Sequence, residues 1–485
     1  MAAEFPELGF ELGKRPNETM SALLLPVVRK AQEIGFFDTL VEGLGLRMKV
    51  YHYSHRNKAE TIVAGIVVGC RHTSDIQTKL VPDTVAAALF GMARFPDQSE
   101  VNNFLRAFGP EQVAHLACAH QQLLLAHSRA GDRKNWLTLP DGQRVLPVDL
   151  DQTALTTRGT KAEGAARGHF GRKRSQFGYK KSLALLGARV KEVLWLSLEA
   201  GNVHGQEAVP AVLEQIAALA KSRHIEPHEI LMRGDAQYGS TGTVRQAQAK
   251  GHHYLFKGYT PKTARYLAEH LPEAALWSYR GLDSYGSHTW VVDAGVQELS
   301  GHDDPPEMPR VRTRVVLLVR VAFRTRKKHG RGSPARVAEK NISFEHYLTD
   351  LSAEALPAEA VIDLYNDRET EESFFRSEQD AFGAQYLRTK HFEGEAAFLW
   401  LLASSINLLR WVQHTTFAGT PLEEAGLAKL VGQAMPIPAT VIQEAQKWIV
   451  LVPETARLVR QVVSAWLQKA LQLPLPLDGC YQYST

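Results

Sequence analysis

The chain has 485 residues, too many for one compact core, so we expect two or three domains. With 44% hydrophobic and 22% charged residues, the composition is that of an ordinary globular protein, which excludes a largely disordered chain. The net charge of +4 permits a nucleic-acid partner but does not require one, so the clustering of charge matters more than its sum.

Three cysteines far apart in the sequence exclude a disulfide scaffold and fit a reducing cytosol. Residues 1–15 lack the basic and then apolar pattern of a secretory signal. The longest uncharged run, residues 396–409, is too short to span a bilayer and is predicted to be a core helix. These features predict a cytoplasmic protein with no membrane partner.

Residues from about 17 to 126 are predicted to form a series of helices, because apolar residues recur at intervals of three and four. Asp97 or Ser99 is predicted to cap one of these helices at its N-terminus. The region is either a helical packing domain or a DNA-binding region with helix-turn-helix-like elements. Its basic residues are scattered, so the sequence does not decide between these two interpretations.

From residue 143 the pattern changes to short runs rich in β-branched and other apolar residues, which predict strands. Three strands in succession are followed by an alternation of helix and strand, the order expected of a mixed α/β sheet. The predicted strands are residues 144–151, 179–188, 192–201, 229–235 and 253–259, with helices at 209–221 and 241–250.

Residues from about 261 to 341 interrupt this alternation. Two long runs, 289–299 and 312–326, predict strands, and a dense basic cluster from Arg324 to Arg331 follows them. This stretch is predicted to be a β-rich insertion with an exposed loop. After it we expect one more strand, at residues 342–351.

The remainder of the chain is predicted to be helical. We expect one helix from residue 357 to 379, a second from 394 to 412, and further helices from 421 to 471. Pro453 suits the first turn of the last long helix.

The first predicted strand contains VLPVDLDQT, residues 145–153, in which Asp149 and Asp151 share one face. A strand that leads into a turn is the plainest explanation. The pattern Asp-x-Asp-x-Thr after an apolar strand also resembles phosphatases of the haloacid-dehalogenase type, with Asp149 as nucleophile and Asp151 as general acid. Such an enzyme needs a later acidic magnesium motif, and Gly239 stands where its second aspartate is wanted.

A different interpretation uses three carboxylates from distant parts of the chain. Asp151 and Asp235 each end an apolar strand, and Glu372 lies on a predicted helix. Three carboxylates together with substrate oxygens suffice for magnesium, which keeps several of its waters. Two magnesium ions so held clamp the attacking and leaving oxygens of an in-line phosphoryl transfer.

The residues around these acids resemble DDE transposases of bacterial insertion sequences, and within them insertion sequence family 1380. Asp151-Gln-Thr153 is similar to the first motif of that group, which favours Asp151 over Asp149 as the catalytic residue. The second motif resembles Arg233-Gly234-Asp235 followed by Tyr238-Gly239, and the third resembles Tyr365, Arg368 and Glu372. Gln379 departs from the pattern, because the group has lysine at this position.

The third motif has the spacing of one helical stripe, since 365, 368, 372, 376 and 379 step by three and four. Arg376 is therefore expected on the face of Glu372, where it takes over the phosphate contact of the missing lysine. Gln379 leaves open a third interpretation, a DNA-binding protein derived from a transposase that has lost its activity.

The resemblance implies an α/β fold with a ribonuclease-H-like catalytic core interrupted by a β-rich insertion, and helical N- and C-terminal regions. The implied domains are a helical DNA-binding region at 1–130, the first part of the core at 131–260, the insertion at 261–341, the second part of the core with the glutamate helix at 342–415, and a C-terminal helical region at 416–485.

The implied activity is cut-and-paste transposition that depends on Mg²⁺, for which Mn²⁺ can substitute, with Asp151, Asp235 and Glu372 as catalytic residues and metal ligands. The implied partners are double-stranded DNA, namely the terminal inverted repeats of the element and the target, and a second copy of the chain in the synaptic complex. The implied location is the bacterial cytoplasm, at the nucleoid when DNA is bound.

A basic segment with interleaved aromatic residues, 168–181, follows the first catalytic strand. Neutralisation of phosphates by such residues makes DNA binding dependent on salt, and the aromatic rings can stack on unpaired bases. A solvated loop is the alternative. The predicted DNA-binding residues are Arg172, Lys173, Arg174, Lys180 and Lys181 here, with Tyr365, Arg368 and Arg376 from the third motif.

Overall fold

The computed structural model describes residues 17–157, 162–168, 170, 176–273, 275–301, 304–327, 336–369, 379–444, 447–453 and 456–472. In the N-terminal part the predicted series of helices is present, and a short strand that was not predicted precedes it. These elements are β1 (Glu18–Thr19), α1 (Leu24–Glu33), α2 (Phe36–Val41), α3 (His55–Val67), α4 (Thr73–Lys79), α5 (Thr84–Ala88), α6 (Gln98–Arg106) and α7 (Pro110–His127). Asp97 caps α6, since its side chain accepts hydrogen bonds from the backbone N–H groups of Ser99 and Glu100.

The predicted strands and helices between residues 143 and 259 are confirmed. The strands are β2 (Leu137–Thr138), β3 (Arg144–Thr156), β4 (Ala166–Arg167), β5 (Phe177–Leu186), β6 (Glu192–Ala200), β7 (Ile230–Gly234) and β8 (His253–Lys257), and the helices are α8 (Val209–Arg223) and α9 (Thr241–Ala249). β3, β5 and β6 are antiparallel neighbours. β7 runs parallel to β3, and β8 runs parallel to β7.

The spatial order of the core strands is therefore β6-β5-β3-β7-β8. A three-stranded antiparallel meander with two parallel strands added beside its first strand is the ribonuclease-H-like arrangement, so the expected fold class is confirmed. β3 lies in the middle, hydrogen-bonded to β5 on one side and to β7 on the other. Its residues from Val145 to Leu150 are consequently buried.

The core sheet continues without a break into the strands that follow it. These elements are α10 (Pro261–Glu269), β9 (Ser278–Leu282), β10 (His288–Leu299), β11 (Val311–Lys327) and β12 (Arg336–Thr349). β12 pairs antiparallel with both β11 and β8, and β10 lies between β11 and β9. Strands of the core and of the intervening segment thus form one sheet.

Two helices pack against this sheet, α11 (Ala358–Asn366) and α12 (Phe392–Thr415). α11 is shorter than the predicted helix 357–379, because residues Asp367–Glu369 form a 3-10 turn after it. Residues 370–378 lie outside the described part of the chain. α12 includes the predicted helix 394–412 and is buried along most of its length.

Polar side chains join α12 to the edge strand β6 and to α7. The Asn407 side chain accepts a hydrogen bond from the Val193 N–H at 2.7 Å and donates one to the Val193 carbonyl at 2.9 Å. The imidazole of His120, on α7, lies within hydrogen-bond distance of the Ser404 hydroxyl and of that same carbonyl, 2.9 Å from each. These contacts hold the N-terminal helices and the sheet in one hydrophobic cluster.

The prediction that only helices follow residue 421 is wrong. A short helix, α13 (Leu427–Lys429), is followed by a hairpin of β13 (Ala439–Glu444) and β14 (Lys447–Leu451), and then by α14 (Arg457–Gln472). The hairpin sequence contains the β-branched run Thr440–Ile442, which suits a strand. β13 also pairs with β1, a partner more than 400 positions away that local periodicity cannot indicate. Pro453 precedes α14 rather than occupying its first turn.

No helix in the described part of the chain combines the length and the apolar character that a membrane crossing requires.

We expect Asn407→Leu to lower the free energy of unfolding by about 2–4 kcal/mol, because both buried backbone groups of Val193 lose a partner. Urea denaturation measures this change. Asn103→Ala, an exposed substitution on α6, is the control and should stay within about 0.5 kcal/mol of wild type. Equal midpoints for Asn407→Leu and wild type would show that this asparagine does not hold α12 to β6.

Candidate active site

The two aspartates of β3 lie in different environments although they share a face. Asp149 is 1% exposed, and its two carboxylate oxygens accept hydrogen bonds from Nε and Nη2 of Arg233 at 2.6 and 2.7 Å. Lys191 Nζ lies 3.1 Å from the same carboxylate. The parallel register places Asp149 directly opposite Arg233, which explains the bidentate contact.

This burial decides the role of Asp149. A nucleophile has to reach its substrate, whereas Asp149 is enclosed between two cationic side chains. The geometry therefore does not support the phosphatase interpretation, and Asp149 is a structural residue that positions its neighbours.

Arg233 connects three elements that carry predicted site residues. Besides its contact with Asp149 on β3, its Nη1 donates to the carbonyl of Leu364, on α11, at 3.0 Å. Arg233 itself lies on β7, two positions before Asp235. One buried guanidinium thus fixes the strand of Asp151, the strand of Asp235 and the helix of Tyr365 relative to each other.

Asp151 is two residues further along β3, where the sheet opens to solvent, and its side chain is 23% exposed. Arg368, in the 3-10 turn after α11, places Nη1 at 3.9 Å from the Asp151 carboxylate and 3.5 Å from the Leu150 carbonyl. Its Nη2 donates to the Tyr365 hydroxyl at 3.3 Å. The third motif therefore meets the first one through Arg368.

Tyr365 is 9% exposed and packs edge-on against Tyr347, with ring centroids 4.9 Å apart. Burial raises the pKa of Tyr365 to about 12, and the Arg368 guanidinium lowers it only in part. Tyr365 is thus a neutral residue whose hydroxyl supports Arg368.

Asp235 directly follows β7, and its carboxylate accepts a hydrogen bond from the Gln237 N–H at 2.9 Å. Because β3 and β7 are parallel and Leu150 pairs with Gly234, Asp151 and Asp235 leave the same edge of the sheet. The Tyr238 hydroxyl is buried near both carboxylates. Burial first, and then the negative charges of Asp151 and Asp235, raise the pKa of Tyr238 well above its usual range.

The glycines of the second motif allow backbone contacts that no side chain would permit. A Cβ at Gly234 would lie 2.8 Å from the Cβ of Tyr238, and one at Gly239 would lie 1.8 Å from the Lys257 carbonyl oxygen. The loop that carries Asp235 is thereby packed against the end of β8. The motif Arg-Gly-Asp with Tyr-Gly thus has a packing explanation for each residue except the aspartate itself.

Glu199, on β6, is a carboxylate at this site that the sequence analysis did not single out. It accepts hydrogen bonds from Ser197, Ser182 and Gln152, at 2.6, 2.8 and 3.1 Å, and burial raises its pKa. Gln152 is the residue between Asp151 and Thr153, so its hydrogen bond joins Glu199 to the first motif. The sequence signal was an acid near the end of an apolar strand, the same signal that identified Asp151 and Asp235.

The two lysines of the basic segment lie in different places. Lys180 lies near Glu199 and Asp235; burial lowers its pKa, and these carboxylates partly oppose that shift. Lys181, the next residue on the strand, is 1% exposed and lies near Glu395 on α12. Arg172, Lys173 and Arg174 lie outside the described residues.

Glu372 and Arg376 also lie outside the described residues, so their stripe on a helix stays a prediction. Within the described part of the chain no cluster of three His, Cys, Asp or Glu residues could hold a metal ion. Asp151 and Asp235 are nevertheless oxygen donors at one edge of the sheet, which is the chemistry that magnesium prefers. The donors present therefore fit a magnesium site that needs a third ligand.

Residues 146–408, more than half of the chain, match the family described as "Transposase DDE domain". No curated protein matches the sequence of this chain. One solved structure, described as a pre-cleavage Mos1 transpososome, aligns at 11% identity with a TM-score of 0.16. That alignment covers 43% of this chain and 61% of the other chain, so this chain spans about three fifths of the length of the Mos1 protein. A likeness this weak transfers no property from one protein to the other.

We expect Asp149→Asn to lower the free energy of unfolding by about 3–5 kcal/mol, because Arg233 and Lys191 would remain buried without their counter-charge. Thermal and urea denaturation measure the loss. Asp141→Asn, in an exposed turn, is the matched control and should remain within about 0.5 kcal/mol of wild type. Wild-type stability in Asp149→Asn would mean that the ion pair does not join β3 to β7.

Proposed function

Since the chain belongs to the transposase DDE-domain family, we propose that it is a transposase that cuts DNA at the ends of its own element and joins those ends to target DNA. The observation that carries this proposal is the meeting of Asp151 and Asp235 at one sheet edge, beside the buried Tyr238 hydroxyl. Within the wider family we assign the chain to insertion sequence family 1380, on the three motifs described above.

Asp151, Asp235 and Glu372 are the residues that we assign to hold two Mg²⁺ ions, or Mn²⁺ in their place, and such a pair supplies the clamp on the attacking and leaving oxygens of phosphoryl transfer. The protein's own part is to place these carboxylates. The ion pair of Arg233 with Asp149 holds β3 and β7 together and so fixes the backbone positions of Asp151 and Asp235. Close packing at Gly239 holds the Asp235 loop against β8.

We assign Arg368 to contact a DNA phosphate next to Asp151. Its guanidinium lies between the Tyr365 hydroxyl and the Asp151 carboxylate, which supports this assignment. Tyr365 acts through Arg368 in this proposal rather than by touching DNA. Lys180 lies on the Asp235 side of the same edge. We assign further phosphate contacts to Arg172, Lys173, Arg174 and Arg376. Lys181 is also assigned to DNA binding, and because its side chain is buried, this contact requires the residues that cover it to move.

The proposed reaction has two steps, each an in-line displacement at phosphorus. Water attacks at the element end and frees a 3′-hydroxyl, which then attacks a phosphate of the target DNA. Two element ends have to be held together for this outcome, so we propose a homodimer as the synaptic unit, with the helical region 1–130 contributing to DNA binding. The proposed location is the bacterial cytoplasm, where the DNA partner resides.

An inactive, transposase-derived DNA-binding protein is the second candidate, and Gln379 in place of lysine is the observation that favours it. Gln379 is helical, and its carbonyl accepts a hydrogen bond from the Gly383 N–H at 2.9 Å. Cleavage by the wild-type chain separates the two candidates, because only the first requires it.

We expect Asp151→Asn, Asp235→Asn and Glu372→Gln each to reduce Mg²⁺-dependent cleavage of DNA bearing the terminal inverted repeats. Removing a direct metal ligand should reduce the cleavage rate by more than the roughly 10- to 100-fold that follows from removing a residue that only supports a ligand. The measurement is strand nicking on gels, together with thermal unfolding to show that each variant is folded. Asp363→Asn changes an exposed acid of α11 and should cut at the wild-type rate.

Retained cleavage in Asp151→Asn would contradict the assignment of that residue. Cleavage-dead wild-type protein that still binds the repeats would support the second candidate. Hydrolysis of a small phosphate ester by homogeneous protein, lost in Asp149→Asn but not in Asp151→Asn, would restore the phosphatase interpretation.

A further inference from the structure

A cavity of about 490 Å³ opens directly beside the loop that carries Asp235. Ala236, the residue after Asp235, forms one wall, and the end of β8, the first turns of α10 and strand β12 form the others. The volume is in the range that holds a small ligand. It therefore admits a nucleotide or two of one strand, but not a duplex.

The charges that line the cavity are mainly positive. Lys257, Lys262 and Arg265 contribute three cationic side chains, and Glu345 is the one carboxylate among its lining residues, 2.9 Å from Lys257. Arg265 is 68% exposed and contacts Glu269 in the next turn of α10. Exposed contacts of that kind are weak, so they leave Arg265 available to another anion.

His346, on β12, is a buried residue of the cavity lining. Its side chain lines the cavity and is 4% exposed, and Nδ1 has no hydrogen-bond partner among the described residues. The ring packs directly on Gly258, since a Cβ at that position would lie 1.9 Å from its Nε2. Burial lowers the pKa of His346 to about 4, so the imidazole is neutral near pH 7.

Two exposed tyrosines lie beside the cations. Tyr259, just before α10, lines the cavity and is 63% exposed. Tyr266, one turn after Lys262 on α10, is 59% exposed and stacks on His270 at 4.1 Å between centroids. Arg265 and Tyr266 fall three and four positions after Lys262, and all three are on the solvent side of this helix. A cationic groove with aromatic rings at its border is the usual composition of a single-strand binding surface.

We propose that this cavity, with the exposed side of α10, binds the sugar-phosphate backbone of a single DNA strand that extends past the cleaved phosphate. Lys262 and Arg265 contact its phosphates, and Tyr259 stacks on an unpaired base. The proposal rests on the proposed function, since it adds a strand-binding surface to that same site.

The test measures binding apart from cleavage, by fluorescence anisotropy of the full chain in Ca²⁺ with a labelled oligothymidine and with a blunt duplex. We expect Lys262→Ala/Arg265→Ala to weaken oligothymidine binding at least about ten-fold. The slope of log affinity against log salt should fall by about 1.4, since each lost phosphate contact removes about 0.7 for single strands.

Tyr259→Ala should weaken oligothymidine binding about five-fold or more, the lower end of what one stacked base contributes. Tyr259→Phe keeps the aromatic face and should bind as wild type does. All three side chains are exposed, so the variants are expected to unfold at the wild-type temperature. Duplex affinity should change less than about two-fold in each of them, because a duplex does not enter the cavity.

The control is Arg189→Ala/Lys429→Ala, which removes the same two residue types from exposed positions elsewhere, with Arg189 3.8 Å from the exposed Glu424. Oligothymidine affinity equal to wild type in the Lys262/Arg265 variant, or an equal loss for strand and duplex, would overturn the proposal. If wild type cuts DNA and that variant still binds the strand normally, the cavity proposal alone is wrong. If wild type cuts no DNA but the variant loses the strand, the proposed function alone is wrong.

Discussion

The buried ion pair between Asp149 and Arg233 is the constraint on which the site depends. Charged groups with 1% and 2% exposure are costly to bury, and they are tolerated only where hydrogen bonds satisfy them. Asp149 receives both arms of the guanidinium and an ammonium, while the third nitrogen of Arg233 is used by the Leu364 carbonyl. Only one relative arrangement of β3, β7 and α11 satisfies all of these contacts. That arrangement also fixes the positions of Asp151 and Asp235 at the ends of the two strands.

Two aspartates on one face of one strand lie in different environments because the strand leaves the core between them. Asp149 lies where β3 is covered on both faces, and Asp151 lies where the cover ends and a substrate can approach. Tyr238, under the same edge, lends a neutral hydroxyl to a region of converging negative charge.

The rest of the fold keeps this edge in place. The sheet extends through β12 and β11, so the strands beyond the core share its hydrogen-bond ladder. On the other side, His120, Glu192 and Asn407 join α7, β6 and α12 through buried polar contacts that are satisfied within the cluster. The cavity next to Asp235 lies at the junction of the core with β12, where α10 leaves room between itself and the sheet.

The sequence by itself determined the core strands and the helices around them, and it predicted the three acids, because residue periodicity and strand-end carboxylates are local signals. Only the tertiary structure gave Asp149 and Asp151 different environments, since the partner that buries Asp149 is Arg233, far along the chain, and a strand pattern gives both residues the same face. The pairing of β13 with β1 and the α10 cavity were not predicted for the same reason. Each depends on neighbours brought together by strand pairing, whereas local periodicity reports only what one segment would bury.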